Sequence, residues 1–334
     1  MMLLSIASFI LIAWIGISIS ILSNPVCDIY SSHDTYDNQD NSRIVAVGDI
    51  HGSFTEFMLI LKKAGITDGE TCRWLPQKYP TKLIQIGDVV DRGSGATEAW
   101  ECLETLQLEA PSNANVIRLI GNHELMWLQG NFRDRSRADT KKKVEKLVGK
   151  MKSGIRSGTV IASHVERIHN IPLMFVHAGF RPEMIQYLKS HHGSDGSPES
   201  LSRTLNSIVK GTLQTQCLSD SSPCSLSDAV FGAGPDRGGM GIGGPFWTDY
   251  KVLAKAAAGG VPQDPYMMQI VGHTASPGSV RYAAHMTALC IDAAMMVGVV
   301  SYLEISVTGK FFIHMLNSRT SDWDTHDLTS KTCS

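Results

Sequence analysis

The sequence predicts an α/β fold in which layers of β-strands pack face to face and helices flank them. Five short apolar runs recur along the chain, and each one ends at a polar cluster. They are IVAV, LIQI, VIRLI, LMFV and MMQIV. Runs of four or five β-rich apolar residues are typical of strands that are buried on both faces.

Two further observations support this fold class. Helical patterns such as FTEFMLILKKAG and TEAWECLETLQL separate several of the runs, and this alternation predicts largely parallel strands with right-handed crossovers. Near the C-terminus, VVSYLEIS and KFFIHML flank a turn at Thr308-Gly309, which predicts an antiparallel hairpin. The hairpin makes the body an α/β sandwich rather than a purely parallel sheet.

The N-terminus differs from the rest of the chain. The first 27 residues carry no charged side chain, and the run from Leu3 to Leu22 is almost wholly apolar. About 20 apolar residues can span a bilayer as a helix, so residues 1–23 are interpreted as either a cleaved signal peptide or a membrane anchor. Either one predicts entry into the secretory pathway, with the chain anchored in the endoplasmic reticulum membrane, lumenal or secreted. In some organisms such a leader also begins the route to a plastid.

The remaining composition suggests four segments. Residues 24–42 are polar and turn-rich and are predicted to be a linker, and residues 317–334 a polar tail. The main folded body is predicted over 43–316. Within it, residues 190–245 are rich in Ser, Gly and Pro and are interpreted as mobile cover loops, and the basic helix KKKVEKLVGK as a solvated face.

Charge and cysteine content restrict the possible partners. The net charge of −2 shows no basic excess, so no nucleic-acid partner is expected. Among the seven cysteines, Cys217 and Cys224 flank a short polar loop that an oxidising lumen can close with a disulfide. Cys72, Cys102 and Cys290 are expected to be buried free thiols.

Polar side chains with metal-binding chemistry follow each of the five apolar runs. In chain order they are Asp49 and His51, then Asp88, Asp91 and Arg92, then Asn122 and His123, then His177, and finally His273. Ligands bind beyond the carboxyl ends of the strands in open α/β sheets, so we expect these side chains to meet. Their carboxylate, amide and imidazole groups suit two divalent ions roughly 3.5–4 Å apart, bridged by one carboxylate.

The motifs that contain these residues resemble a known family, the PPP phosphoprotein phosphatases, over residues 43–316. The matching motifs are Gly-Asp-Ile-His-Gly (48–52), Gly-Asp-Val-Val-Asp-Arg-Gly (87–93), Gly-Asn-His-Glu (121–124), His177-Ala178 and Gly272-His273. The Gly272-His273-Thr274 and Ile291-Asp292 pairs, and the stretch from Arg237 to Trp247, are similar to the branch called Shewanella-like protein phosphatases.

This resemblance implies a calcineurin-like phosphoesterase fold and a metal-dependent phosphoric monoester hydrolase that acts on phosphoserine and phosphothreonine, with phosphotyrosine as a further substrate. It implies two divalent ions, manganese first, with iron or zinc as alternatives. Asp49, His51 and Asp88 would hold one ion, and Asp88, Asn122, His177 and His273 the other. The resemblance further implies that a hydroxide bridging the ions attacks phosphorus directly.

The resemblance also implies roles for the residues that do not bind metal. His123 would protonate the leaving oxygen with Asp91 orienting its ring, and Arg92 and Asn122 would bind the phosphate. A second phosphate-binding cation is expected at Arg237 or Lys251.

Other functions remain open at this stage. One is hydrolysis of dinucleoside polyphosphates or other small phosphoesters, since that group shares the Gly-Asp-Ile-His-Gly opening. Another is a non-catalytic, membrane-tethered protein that keeps a structural metal site. No Ser-Ala-Pro-Asn-Tyr-Cys loop follows His273, which argues against the regulatory subunits that use that loop.

Overall fold

A computed structural model describes residues 42–112, 114–217, 222–259, 267–283 and 286–329. The predicted signal peptide or anchor at 1–23 and nearly all of the predicted linker lie outside these residues. Within the described ranges, no helix has both the length and the apolar character that crossing a membrane requires.

Across the described residues, twelve strands form two sheets. In chain order they are β1 (Arg43–Val47), β2 (Thr81–Gln85), β3 (Ala114–Leu119), β4 (Val160–Ile161), β5 (Ser163–Ile168), β6 (Ile171–Val176), β7 (Met268–Val271), β8 (Arg281–Tyr282), β9 (Ala288–Cys290), β10 (Ser301–Ile305), β11 (Phe311–Leu316) and β12 (Trp323–Asp327). One sheet has the order β12-β11-β10-β1-β2-β3-β4 and the other β5-β6-β7-β9-β8.

The direction of the strands agrees with the sequence-based expectation. Strands β1 to β4 are mutually parallel where they pair, as are β6, β7 and β9. Strands β10 and β11 form the expected antiparallel hairpin, with Ser301 opposite Met315 and Ile305 opposite Phe311. The predicted α/β sandwich is therefore confirmed, with its parallel strands divided between the two sheets.

The alternation of side chains along β1 explains why its sequence is apolar at every position from Ile44 to Val47. Ile44 and Ala46 belong to the core between the two sheets, together with residues of β6 and β7. Val45 and Val47 point the other way and pack in the larger core beneath the helices. Because successive side chains of a strand point to opposite faces, a strand covered on both sides needs no polar residue.

Seven α-helices in the described part of the chain cover the sheets. They are α1 (Phe54–Lys63), α2 (Ala96–Glu109), α3 (Asn122–Leu128), α4 (Lys141–Ser157), α5 (Pro182–His192), α6 (Pro198–Gln216) and α7 (Tyr250–Ala258). Helix α4 contains the basic KKKVEKLVGK run and buries an apolar stripe that includes Leu147 and Met151. Its exposed lysines pair with α2, as in the contact of 2.9 Å between Lys146 and Glu101.

Two stretches differ from their predicted character. Much of the region 190–245, expected to be mobile cover loops, is the helix α6, which buries Leu201, Leu205, Val209 and Leu213 at four-residue intervals. That spacing places the four side chains on one face of a helix, and they join the main core. The predicted polar tail contains β12, which extends the larger sheet by pairing with β11.

The cysteines also depart in part from expectation. Cys72 and Cys102 were expected to be free thiols but are joined in a disulfide between the segment after α1 and helix α2. A second disulfide joins Cys217 to Cys224, while Cys290 is a buried free thiol, as expected. The two cysteines are 30 positions apart in the sequence, so no local pattern signals that they pair.

Candidate active site

The strand ends bring the predicted site residues to one edge of the sandwich. Asp49 and His51 follow β1, Asp88 follows β2, and Asn122 and His123 begin helix α3 just after β3. His177 and His273 follow β6 and β7 of the other sheet. The two sheets therefore each supply part of a single cluster, and its metal-binding candidates are all buried or half-buried.

The backbone at this edge is unusual. His51, Asp88, Asp91, Arg92 and His273 all have positive φ angles, between 47° and 73°. Residues other than glycine seldom adopt this region, at a cost of about 1–3 kcal/mol each, and they concentrate at functional sites. Gly87, with φ of 97°, adds a close approach: a Cβ atom there would lie 2.6 Å from the backbone nitrogen of Gly121.

Glu124 holds this strained loop in place. Its carboxylate accepts hydrogen bonds from the backbone N–H groups of Asp88 and Val89, each at 2.8 Å, and of Val90 at 3.1 Å. It also accepts the N–H of Gly121 at 2.8 Å. The motif Gly-Asn-His-Glu contained this residue, but no role was predicted for it. Its position three residues after Gly121, as in a capping box, was the available signal.

The first candidate metal group is formed around Asp88. The Nε2 atom of His51 lies 3.8 Å from Asp49 and 3.6 Å from Asp88. The Nδ1 atom of His51 contacts the Val90 carbonyl at 2.9 Å, so Nδ1 carries the proton and Nε2 presents a lone pair. Burial lowers the pKa of His51 to about 3 despite the nearby Asp88 carboxylate. A neutral imidazole therefore faces two carboxylates.

The second group centres on the side-chain oxygen of Asn122. This Oδ1 atom lies 2.8 Å from His177 Nε2 and 2.9 Å from His273 Nδ1, and Asp88 lies 3.4 Å from the same His177 nitrogen. Burial opposes protonation of His177, but the carboxylate of Asp88 outweighs it and raises the pKa of His177 to about 9. Against the effect of burial, His177 and His123 hold the pKa of Asp88 well below its usual value.

His123 is held by carboxylates on more than one side. Its Nδ1 atom lies 2.6 Å from Asp91, and its backbone N–H donates to Asp88 at 2.9 Å. Trp127 donates its indole N–H to the other oxygen of Asp91 at 2.6 Å, a contact that the sequence did not predict. Burial would lower the pKa of His123, but Asp88 and Asp91 outweigh it and raise that pKa.

The cationic side chains named from the sequence lie at different places. Arg92 is exposed, and its Nη2 atom lies 3.4 Å from Nε2 of His123. Arg237 donates to the hydroxyl of Thr274, which follows His273, at 2.8 Å and pairs with Asp249 at 3.1 Å. Lys251 is exposed in the first turn of α7. Of the two candidates for a second phosphate-binding cation, only Arg237 has a described contact beside the cluster.

Asp292 lies behind the first candidate group. It is buried and borders the same small cleft as Asp49. Burial first, and then the nearby Asp292, raise the pKa of Asp49 well above its usual value. The carboxylate of Asp292 accepts the backbone N–H of Ala294 at 2.9 Å, so it also fixes the turn that follows β9.

Comparison with known proteins identifies the family. Residues 42–220 match the family model described as calcineurin-like phosphoesterase. The chain belongs to the calcineurin-like phosphoesterase family. The match includes four of the five strand ends that carry the site. In the ranges that the structure describes, two groups of side chains are close enough to hold an ion, Asp88–His177–His273 and His51–Asp88–His123, and the second contains His123 where Asp49 was expected.

Individual relatives share only part of their length with this family member. It is 39% identical over 104 residues to Shewanella-like protein phosphatase 1 of Plasmodium berghei, covering 30% of this chain and 28% of the relative. It is 37% identical over 92 residues to Shewanella-like protein phosphatase 2 of Arabidopsis thaliana, covering 27% of this chain and 23% of the relative. A symmetrical bis(5'-nucleosyl)-tetraphosphatase of Neisseria gonorrhoeae is 30% identical over 142 residues, covering 41% and 44%.

Solved structures extend the likeness in fold to most of the chain. A cold-active protein-tyrosine phosphatase of a psychrophilic Shewanella species superimposes with a TM-score of 0.60 at 19% identity, covering 85% of this chain and 80% of that one. The fold of the calcineurin-like phosphoesterase family therefore extends beyond the 42–220 match.

Proposed function

We propose that this calcineurin-like phosphoesterase is a phosphoprotein phosphatase that uses two divalent ions, manganese first, to hydrolyse phosphoserine and phosphothreonine, with phosphotyrosine as a further substrate. The observation that carries the proposal is the placement of His123, held by Asp91 and Asp88 and next to the exposed guanidinium of Arg92. The similarity to two Shewanella-like protein phosphatases supports phosphoproteins as the substrate class.

The donor set fits divalent ions. The neutral Nε2 of His51 faces two carboxylates, an arrangement of electron pairs that a cation between them would stabilise. In the other group, contacts of 2.8 and 2.9 Å join Asn122 to His177 and His273. Ligands that share one ion at bond lengths of about 2.0–2.2 Å are roughly 3 Å apart. Backbone carbonyls fix the rings of His51 and His177, as is usual for metal-binding imidazoles.

Asp49, His51 and Asp88 would hold one ion, and Asp88, Asn122, His177 and His273 the other. The ions would supply Lewis-acid charge that polarises the phosphoryl group and eases deprotonation of a water molecule. Arg92 would bind phosphate oxygens through its planar guanidinium, and Arg237 is the favoured second cation because it contacts Thr274.

His123 would then act as the general acid. Its Nε2 atom is the free ring position, because Asp91 holds Nδ1 at 2.6 Å. The carboxylates of Asp88 and Asp91 raise the pKa of His123 against the effect of burial, which favours the protonated ring that a general acid needs. A phosphate bound by Arg92 would place its leaving oxygen beside Nε2, since the guanidinium lies 3.4 Å from that atom. No phospho-enzyme is expected.

The test is hydrolysis of matched phosphopeptides by the full chain. Metal-free protein should be inactive, and added Mn²⁺ should restore release of phosphate from phosphoserine and phosphothreonine peptides. Peptides that carry phosphotyrosine in the same sequence would show whether the enzyme prefers phosphoserine and phosphothreonine over phosphotyrosine. A purified, folded protein that binds manganese and cleaves none of the peptides would refute the assignment.

One finding favours a second candidate, hydrolysis of dinucleoside polyphosphates. The similarity to the bis(5'-nucleosyl)-tetraphosphatase extends over more residues than the similarity to either Shewanella-like phosphatase, although its identity of 30% is lower. Diadenosine tetraphosphate should therefore be assayed beside the phosphopeptides. A kcat/KM for this nucleotide at least tenfold above that of every phosphopeptide would replace the leading proposal with this one.

A further inference from the structure

A cavity of about 290 Å³ lies on the side of Trp127 that faces helix α4. Its buried lining includes Trp127, Leu128, Val144 and Val148. Its exposed lining, which includes Arg135, forms the mouth. The volume lies at the lower end of the range for small-molecule sites, and an apolar lining with few polar groups is typical of them.

The cavity is connected to the catalytic cluster through a single side chain. Trp127 forms part of the cavity wall and donates its indole N–H to Asp91 at 2.6 Å. Asp91 in turn contacts Nδ1 of His123 at 2.6 Å. A group that packs against Trp127 inside the cavity would therefore restrict the motion of its indole ring. That ring holds Asp91, and Asp91 in turn orients His123.

The charges at the mouth indicate which ligand fits. Among the described residues, the exposed side chain of Arg135 has no acceptor. Lys141 and Glu145 also line the mouth, and they pair with each other at 3.8 Å, so their charges offset. An apolar interior with one unpaired cation, Arg135, at its opening complements a compact aromatic or branched body that carries one negative charge.

We propose that this cavity is a binding site for a small apolar acid, and that its occupant activates hydrolysis by fixing Trp127 against Asp91. The apolar body would replace solvent beside Trp127, Val144 and Val148, and the anionic group would meet Arg135. The binding site is independent of the proposed function, whereas the activation rests on the proposed role of His123.

Binding is tested by calorimetry with naphthalene-2-sulfonate and its neutral sulfonamide, using the full chain. Because the sulfonate has few non-hydrogen atoms, only weak binding with a Kd of about 0.1–1 mM is expected for it. Arg135→Glu should weaken sulfonate binding about tenfold and leave the sulfonamide unaffected. Val148→Phe should abolish binding of both by filling the cavity, with thermal unfolding and basal activity as checks on its fold.

Activation is tested by comparing leaving groups. A general acid contributes more when the leaving oxygen is more basic, so saturating sulfonate should raise kcat about two- to fivefold for phenyl phosphate and less than 1.5-fold for p-nitrophenyl phosphate. Trp127→Phe keeps an aromatic wall but lacks the indole N–H. This variant should still bind the sulfonate and should lose the activation.

The outcomes separate the two claims. Sulfonate that does not bind, or that binds Val148→Phe as tightly as the natural chain, overturns the site. Binding with equal effects on both substrates, or activation that persists in Trp127→Phe, overturns the coupling through Asp91. Binding by a protein that hydrolyses no phosphoester leaves the site standing and refutes the proposed function instead.

Discussion

The active-site edge and the β10–β11 hairpin use buried charge in opposite ways. At the edge, charged and imidazole groups face one another, and five of them stand on backbone with positive φ. In the hairpin, Glu304 has partners that neutralise it: it pairs with Arg43 at 2.8 Å and with His314 at 3.5 Å. Its tight turn places the positive φ on a glycine, Gly309.

This difference separates residues that serve function from residues that serve stability. Strained backbone and facing donors cost free energy and persist where they serve a site, so changes to the side chains that face the cluster should affect activity more than folding. Regular pairing in the hairpin lowers the free energy of the folded state, so changes there should affect folding alone. The first three predictions below test this comparison, and the last tests a surface outside both regions.

The largest effect is expected for His123→Asn. Asparagine has no acidic proton to donate near neutral pH, so kcat for a phosphoserine peptide should fall by roughly 10²–10⁴-fold, the usual contribution of a general acid. Thermal unfolding should change little, and the manganese content should stay the same. A kcat that remains within threefold would mean that this ring is not the acid.

The second prediction concerns Glu124→Gln. The amide keeps the shape of the carboxylate but replaces one acceptor oxygen with a donor, which leaves backbone N–H groups of the 88–90 loop without partners. Unsatisfied buried donors cost about 1–3 kcal/mol each, so the free energy of unfolding should fall by about 2–4 kcal/mol in urea titrations. Manganese affinity should weaken as well. An unchanged manganese affinity would mean that metal binding does not depend on the order of the 88–90 loop.

Much of this edge could be predicted from the sequence, because each ligand directly follows a recognisable apolar strand. Local patterns could not say that β1 and β6 belong to different sheets, since both are simply buried runs. Glu124 is signalled only by its capping-box position three residues after Gly121, and Trp127 acts through a side-chain contact that no spacing rule identifies. Their partners become evident only when the chain is folded.

Elsewhere the sequence was harder to interpret. Helix α6 was mistaken for loops because its serines and nearby glycines obscured an apolar residue every fourth position. Strand β12, Trp323–Asp327, is polar because four of its five residues are exposed, so it lacks an apolar run of the kind that identified strands such as β1 and β2. The disulfide Cys72–Cys102 depends on tertiary proximity alone.

The third prediction tests the hairpin through Glu304→Gln. Burial opposes ionisation of this side chain, but hydrogen bonds from His314 and Arg43 outweigh it and lower the pKa to about 2. A carboxyl group whose pKa is lowered on folding stabilises the protein above its unfolded pKa of about 4.3, and this contribution disappears as the pH falls toward 2. Because 20% of the Glu304 side chain is exposed, solvent screening reduces this stabilisation. The free energy of unfolding at pH 7 should therefore be about 1–2 kcal/mol lower for Glu304→Gln than for the natural chain.

The measurement for Glu304→Gln is the free energy of unfolding at pH 7, 5 and 3. The difference in the free energy of unfolding between the variant and the natural chain should become smaller as the pH falls. The kcat/KM of the variant at pH 7 should match that of the natural chain. A difference that is constant with pH would show that shape rather than charge supports the hairpin. If Glu304→Gln lost activity but not stability, the hairpin would serve function, and its contrast with the active-site edge would be wrong.

The smallest effect is expected on the α2–α4 surface, which lies outside both regions. Lys146→Ala removes a contact of 2.9 Å with Glu101, but the two side chains are 62% and 42% exposed. Water already solvates both charges, and ordering two long side chains costs entropy, so the stability should change by only about 0.2–0.5 kcal/mol. High salt should erase even that difference in urea unfolding. A loss above 1 kcal/mol would instead mean that the basic face of α4 acts as a network, and the contrast between paired and facing charge would then extend beyond the hairpin.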